Sequence, residues 1–211
     1  MQDTENHLQT LSEIKSLMER SSRFISLSGL SGIAAGTFAL IGAWAANYFG
    51  GIPFLQEYTL DPGMTATEFD LFLLLDALIV LVLAVGFGIF FTARKAKQAG
   101  LNVWNKTTER LLINLMLPLI AGGIYCLILL FKYNDISLIA PTTLIFYGLA
   151  LINASKYTLN DIRNLGILEV MLGLIGTYFI NYGLLIWAIG FGILHILYGL
   201  AMYFKYERKA S

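Results

Sequence analysis

DLFLLLDALIVLVLAVGFGIFFTA, residues 70–93, followed at once by RKAK at 94–97, decides the fold. Its only charged residues are Asp70 and Asp76. About 20 apolar residues in a helix cross roughly 30 Å of hydrocarbon, so this run is long enough to span a bilayer. It is continuously apolar rather than alternating, which reads as a helix and not as a barrel strand. The basic cluster marks where it leaves the membrane.

Five more runs share this character, at 24–48, 112–131, 138–154, 165–180 and 184–204. The first, second, third and sixth runs have full spanning length. The fourth and fifth are shorter but within reach. The chain is 57% hydrophobic and 13% charged, with a mean hydropathy of +0.69. Soluble domains average about 25% charged residues, so this is a membrane composition.

Charge sets direction. Numbering the segments between runs alternately, one side receives Lys15, Arg20, Arg23, Arg94, Lys95, Lys97, Lys106, Arg110, Lys156, Arg163, Lys205, Arg208 and Lys209. The other side receives Lys132 alone. The positive-inside rule then places both termini in the cytoplasm, as expected of a multi-pass protein of a bacterial inner membrane. Asn181-Tyr182-Gly183 and Lys132-Tyr133-Asn134-Asp135 are short connections that force antiparallel neighbours. The expected fold is all-α: six transmembrane helices over 24–204 as three hairpins, with a cytoplasmic tail at 205–211. No cleavable leader is expected, because residues 1–23 are polar and the first run exceeds a signal core.

Residues 1–23 read as an amphipathic cytoplasmic helix. Leu8, Leu11, Ile14, Leu17 and Met18 cover one face, and Glu5, Glu13, Glu19, Arg20 and Arg23 the other. Residues 8–18 are expected to pack on the chain's own bundle, on a second copy, or on a cytoplasmic partner. The lipid bilayer is the other partner. The external loop 49–69 carries Glu57, Asp61 and Glu68 without a base, and reads as a solvated loop or an acidic rim. The internal loop 94–110 is basic, which its topogenic role explains. With a formal net charge of 0 and no basic patch interleaved with aromatics, nucleic acid is not an expected partner.

A nine-residue repeat is the most specific local pattern. Residues 166–174 read GILEVMLGL and residues 192–200 read GILHILYGL, with Glu169 aligned to His195. Gly166, Glu169, Gly173 and Gly176 share one helix face, as do Gly192, His195 and Gly199. Ser28, Gly32 and Gly36 make a similar stripe in the first run, continued by Ala39 and Ala43. Small residues let membrane helices approach closely, so these stripes are packing faces. A shorter echo links Tyr147-Gly148-Leu149-Ala150 to Tyr198-Gly199-Leu200-Ala201.

Asp76, Glu169 and His195 are charged or readily charged residues well inside the apolar runs, Asp70 standing at the very edge of its own. A charge at the centre of a lone membrane helix costs about 2.5–3.5 kcal/mol on insertion scales, so each needs a reason. Counting helical rise puts Asp76 near the outer end, His195 near the middle and Glu169 near the inner end. They are expected to form a stepped polar path, with Asn114 joining its lower end. Pro118, one turn beyond Asn114, should free a backbone carbonyl and kink its helix. The alternatives are plain: Asp76 reaches interfacial water, Glu169 extends to the inner surface or pairs with Arg163, and His195 is a hydrogen-bonded packing residue.

Catalytic and cofactor signatures are missing from the sequence. There is no HExxH, P-loop, strand-linked GxGxxG or GxSxG. Cys126 is the single cysteine, which excludes an intrachain disulfide and a multi-thiol metal site. No cofactor, metal or catalytic residue is assigned, and an enzyme is not the expected class.

The stretch Met18-Glu19-Arg20-Ser21-Ser22-Arg23-Phe24-Ile25-Ser26-Leu27-Ser28-Gly29-Leu30-Ser31-Gly32 resembles small six-helix membrane proteins of Bacteroidetes. The Gly-Ile-Leu-x₄-Gly-Leu hairpin is more distantly similar to HdeD-type acid-resistance membrane proteins. These resemblances imply the fold and carry no site residues. The leading expectation is a non-enzymatic component of sensing, stress response or partner regulation. The alternative is a small transporter or proton-coupled permease using Asp76, His195 and Glu169, and an intramembrane enzyme comes third.

Overall fold

The computed structural model describes residues 27–55, 65–100 and 102–207. The amphipathic segment 1–23, with its face at 8–18, therefore lies outside the described residues, as do Glu57, Asp61, Arg208 and Lys209. The described residues are helical, with no strand among them. Helix α1 is Gly29–Tyr48, α2 is Ala66–Gln98, and α3 is Lys106–Ile128 extended by the π-helical turn Leu129–Tyr133. Helix α4 is Ile139–Ala154 and α5 is Asn160–Tyr178. Helix α6 runs without a break through Gly183–Trp187, a π-helical stretch Ala188–Leu194, then His195–Met202 and a π-helical end Tyr203–Glu207. Four helical stretches are long and apolar enough to cross a membrane: Gly29–Tyr48, Thr67–Gln98, Lys106–Tyr133 and Ile180–Glu207. These coincide with the four full-length runs. The two shorter runs form α4 and α5.

Local chemistry fixes the helix starts. Thr65 and Glu68 form a reciprocal capping box at α2: Thr65 Oγ1 accepts from the Glu68 amide, and Glu68 Oε2 accepts from the Thr65 amide. Asn105 caps α3 by accepting from the Thr107 and Thr108 amides, both at 2.9 Å. Helix α1 is capped from far along the chain. Its Gly29 amide donates to Glu207 Oε1 at 2.6 Å, and Ser28 Oγ donates to Glu207 Oε2 at 3.4 Å. A carboxylate suits the positive end of a helix. Lys95, at the end of α2, completes this junction by bonding Glu207 and the Leu27 carbonyl. Beside it, Asp161 at the start of α5 accepts from Lys205 Nζ and Tyr206 Oη of α6. The starts of α1 and α5 and the ends of α2 and α6 thus share one end of the bundle.

Helices α1, α4, α5 and α6 form the centre, with α2 packed on α1 and α3 packed on α4. The glycine stripes are where backbones meet. A Cβ on Gly29 would strike the Gly199 carbonyl, and one on Gly36 would stand 2.5 Å from the Gly192 carbonyl. A Cβ on Gly32 would stand 3.1 Å from Gly199 Cα, and the space beside Gly192 is filled by Leu40. Across α4 and α5, a Cβ added to Gly148 or to Gly166 would stand 2.5 or 2.7 Å from the other's carbonyl oxygen. A Cβ on Gly173 would stand 2.8 Å from the Pro141 carbonyl oxygen, and one on Gly176 would stand 3.3 Å from the Pro141 ring. Both halves of the nine-residue repeat therefore pack by their glycines: the first half against α4, the second against α1. The YGLA echo uses its glycine in the same way on both sides of the molecule. Helix α2 keeps a broad apolar face exposed, including Leu78, Leu81, Val82 and Ile89, as suits contact with lipid chains.

Pro118 has the expected consequence for hydrogen bonding. It lies inside α3 and has no amide hydrogen to give the carbonyl four residues earlier. That carbonyl belongs to Asn114, and Asn153 Nδ2 of α4 donates to it at 2.9 Å. The gap left by the proline has become a tie between two helices.

A buried tyrosine–histidine–glutamate cluster as the candidate functional site

Glu169 on α5 and His195 on α6 are in direct contact. Glu169 Oε1 lies 3.4 Å from His195 Nδ1. Glu169 is 0% exposed and His195 is 6% exposed. The glycines of the repeat bring this about: by drawing α5 onto α4 and α6 onto α1, they turn the fourth residue of each copy into the space between.

The imidazole is held on both nitrogens. Nδ1 is 3.0 Å from the Gly190 carbonyl, and Nε2 is 2.8 Å from the Tyr147 hydroxyl of α4. A carbonyl can only accept, so Nδ1 carries the hydrogen and Nε2 accepts from Tyr147. Gly190 belongs to the π-helical stretch Ala188–Leu194 immediately before His195. π-Helical turns are rare and concentrate at functional sites. The wider turn presents the Gly190 carbonyl to the ring five residues later.

Glu169 has no comparable support. Both carboxyl oxygens are buried without a hydrogen-bond partner in the protein. One of them occupies space that any side chain on Gly190 would need, 2.6 Å from where its Cβ would stand. Leu144, fully buried, closes the same space. A buried polar group without a partner costs several kcal/mol on apolar transfer scales, roughly 2–7, and an isolated buried charge costs far more. Two arrangements keep the site net neutral: carboxylic acid beside imidazole, or carboxylate beside imidazolium. Both contain the same number of protons. Adding or removing one proton leaves a net charge between packed helices.

Aromatic rings wall the remaining side. Tyr147 and Phe191 have centroids 4.9 Å apart, Phe191 stacks on His195 at 5.8 Å, and Trp187 meets Phe191 at 5.1 Å. Tyr147 is half-buried, and it borders the apolar cluster of Leu151, Leu159, Ile162, Leu165 and Met202.

The expected polar path is only partly assembled. Glu169 and His195, expected at different depths, touch. Asp76 lies between α1 and α2, where its carboxyl oxygens are 3.5 and 3.7 Å from the Cβ position of Gly42. Gly42 faces away from the side of α1 that carries Gly36 and Leu40 toward α6, so α1 stands between Asp76 and the cluster. Asn114 is half-buried, and its amide donates back to the Arg110 carbonyl at 2.8 Å. It meets α4 through its carbonyl and does not join the cluster. Glu169 neither reaches the surface nor pairs with Arg163; its ionisable neighbour is His195. Tyr147 is the member that sequence reasoning passed over. Its signal was present in the YGLA echo: a phenol one residue before a packing glycine, inside an apolar run.

Among the described residues no group of three or more His, Cys, Asp or Glu side chains is placed to hold a metal ion. No family model, curated protein or solved structure matches the chain.

Proposed function

We propose that this chain is a multi-pass protein of a bacterial inner membrane whose Glu169–His195–Tyr147 cluster makes it a proton-responsive, non-enzymatic component of sensing or stress response. All six helices cross the bilayer in this reading, as three hairpins, with both termini on the basic side. The charge asymmetry of the sequence supports that orientation. So does the meeting of the starts of α1 and α5 with the ends of α2 and α6 at one end of the bundle.

One observation carries the functional reading: a completely buried, unpartnered carboxyl group 3.4 Å from a histidine, between helices packed on glycine. Ionisable groups inside a membrane are costly and mark functional positions. This pair tolerates one proton count. Any other count is relieved by helix movement or by entering water, which is how local protonation becomes a change of shape. Residues 8–18 would pass that change to a second copy or a cytoplasmic partner. A permease reading needs a continuous polar route, and the position of Asp76 beyond α1 gives it less support.

The test is a pH titration of the protein in vesicles, read by fluorescence of Trp187 with Trp44 and Trp104 replaced by phenylalanine. The expected result is a pH-dependent signal that Glu169→Gln abolishes while the protein still assembles. An unchanged titration in Glu169→Gln would overturn the proposal. Proton flux through the vesicles that depends on Glu169 would favour the permease instead.

A further inference from the structure

We infer that α6 is jointed at its π-helical stretch Ala188–Leu194, so that its inner part moves with α1 and α2 as one body against a second body made of α3, α4, α5 and its own outer part. The inference goes beyond the sensing role proposed above. It rests on packing, and it names the movement that a trigger at the cluster would release.

Helix α6 changes sides along its length. Its outer part, Gly183–Trp187, packs on α4 and α5. Ile186 stands 3.4 Å from the Cβ position of Gly176 on α5, and Ala140 of α4 stands 3.7 Å from that of Gly183. Its inner part, His195–Met202, packs chiefly on α1, where a Cβ on Gly199 would stand 2.7 Å from the Gly29 carbonyl oxygen. The handover falls in the π-helical stretch. There Gly190 faces Leu144 of α4 and Glu169 of α5, whereas the space beside Gly192, two residues later, is filled by Leu40 of α1. π-Helical turns interrupt the regular hydrogen-bond ladder and are places where helices bend. Each body is tied internally. Glu207 joins the end of α6 to the start of α1 and to Lys95 of α2, and α4 meets α5 backbone to backbone at Gly148 and Gly166. Among the described residues, α1 and α2 make no extensive contact with α3, α4 or α5.

Three contacts hold the bodies closed. His195 is the first residue after the π-helical stretch, and its ring reaches back across the joint to the Gly190 carbonyl. Its side-chain partners, Tyr147 of α4 and Glu169 of α5, both belong to the second body, so the imidazole is the catch of the joint. At the inner end, Lys205 and Tyr206 bind Asp161 of α5. Met202 adds an apolar contact, in one buried cluster with Leu151 of α4 and with Ile162 and Leu165 of α5. At the outer end the short turn Ile180–Tyr182 keeps α5 and α6 together. Movement at the joint therefore parts their inner ends.

Spin-label distances in vesicles test the joint, in a Cys126→Ala background that leaves introduced cysteines as the only thiols. Labels on Lys97→Cys at the end of α2 and Lys156→Cys beyond α4 span the two bodies. Labels on Lys97→Cys and Ala201→Cys lie within the first body. All three positions are exposed. Asp161→Asn is expected to add to the spanning pair a population longer by about 2 Å or more, the scale of hinge rearrangements. Adding His195→Ala is expected to enlarge that population. The pair within the first body is expected to keep its parental distribution throughout. A spanning pair unchanged in both variants, or equal broadening of the two pairs, overturns the joint. Asp161→Asn alters a contact at the surface and leaves the packed interior intact, so it reads the joint even where His195→Ala fails to fold. A parent whose spanning distance is the same at every pH, but lengthens when the catch is removed, would refute the sensing role and retain the joint.

Discussion

Glu169 Oε2 fills the place of a missing side chain on Gly190: the oxygen lies 2.6 Å from where that Cβ would be. The carboxyl group and the glycine are thus two halves of one packing solution, contributed by α5 and α6.

Gly190→Ala should therefore be destabilising by about 1–3 kcal/mol, the usual range for overpacking a close-fitted interior. The methyl group would also meet Leu144 Cδ2 at 2.5 Å, and Leu144 is fully buried with little room to retreat. Gly86→Ala is the control, since nothing lies within 4 Å of its Cβ position on the exposed face of α2. Denaturation in mixed micelles should show a lower midpoint for the first variant and an equal or higher one for the second. A Gly190→Ala midpoint at the parental value would refute the fit.

The Asn153–Asn114 tie predicts a coupling. Asn153→Ala should cost about 0.6–1.7 kcal/mol, as interhelical hydrogen bonds in membranes do, because it leaves the Asn114 carbonyl unpaired. In a Pro118→Ala background the helix supplies its own amide to that carbonyl. The same Asn153→Ala change should then cost clearly less. A double-mutant cycle measures the difference, and strict additivity would mean that the proline gap is not what Asn153 fills.

Asp161, outside the apolar run of α5, gives a pH dependence of definite sign. Partial burial works against its ionisation, but hydrogen bonds from Tyr206 and Lys205, with the lysine charge, outweigh it and hold the carboxyl below its ordinary value. A carboxyl lowered on folding stabilises above its unfolded pKa, near 3.9 for aspartate, and that contribution disappears as pH falls through the folded value. Asp161→Asn should thus be less stable than the parent at neutral pH, with the two unfolding midpoints converging below about pH 4. Midpoints that stay equally separated at every pH would show that the carboxylate charge is not responsible.

Much of this arrangement was legible in the residues. Apolar run length singled out the four long spanning helices. The glycine spacings marked the faces on which α1 meets α6 and α4 meets α5, because a missing side chain leaves a trace in sequence. The alignment of Glu169 with His195 in the two repeats was visible, but it was read as two steps of a path and not as a contact. What misled was depth. Counting from the run edge at 165 placed Glu169 near the inner end of its helix, whereas α5 begins at Asn160 and Glu169 and His195 each lie 13 residues from Tyr182 in the turn between their helices. Run edges do not encode such offsets. Tyr147 escaped notice because a tyrosine in a membrane helix is ordinary until a ring nitrogen is found beside its hydroxyl. Asp76 looked equivalent to the other two by chemistry alone; the side of α2 on which it lies is set by Gly42 of α1.

The cap that Glu207 places on α1 has a consequence for synthesis. Helix α1 leaves the ribosome first among the described helices, with its Gly29 amide unpaired and its glycine face open. The carboxylate that completes it and the backbone that covers it arrive with the last described residues, nearly 180 positions later. Until α6 is made, then, the first helix lacks both its distant cap and the backbone that covers its glycine face.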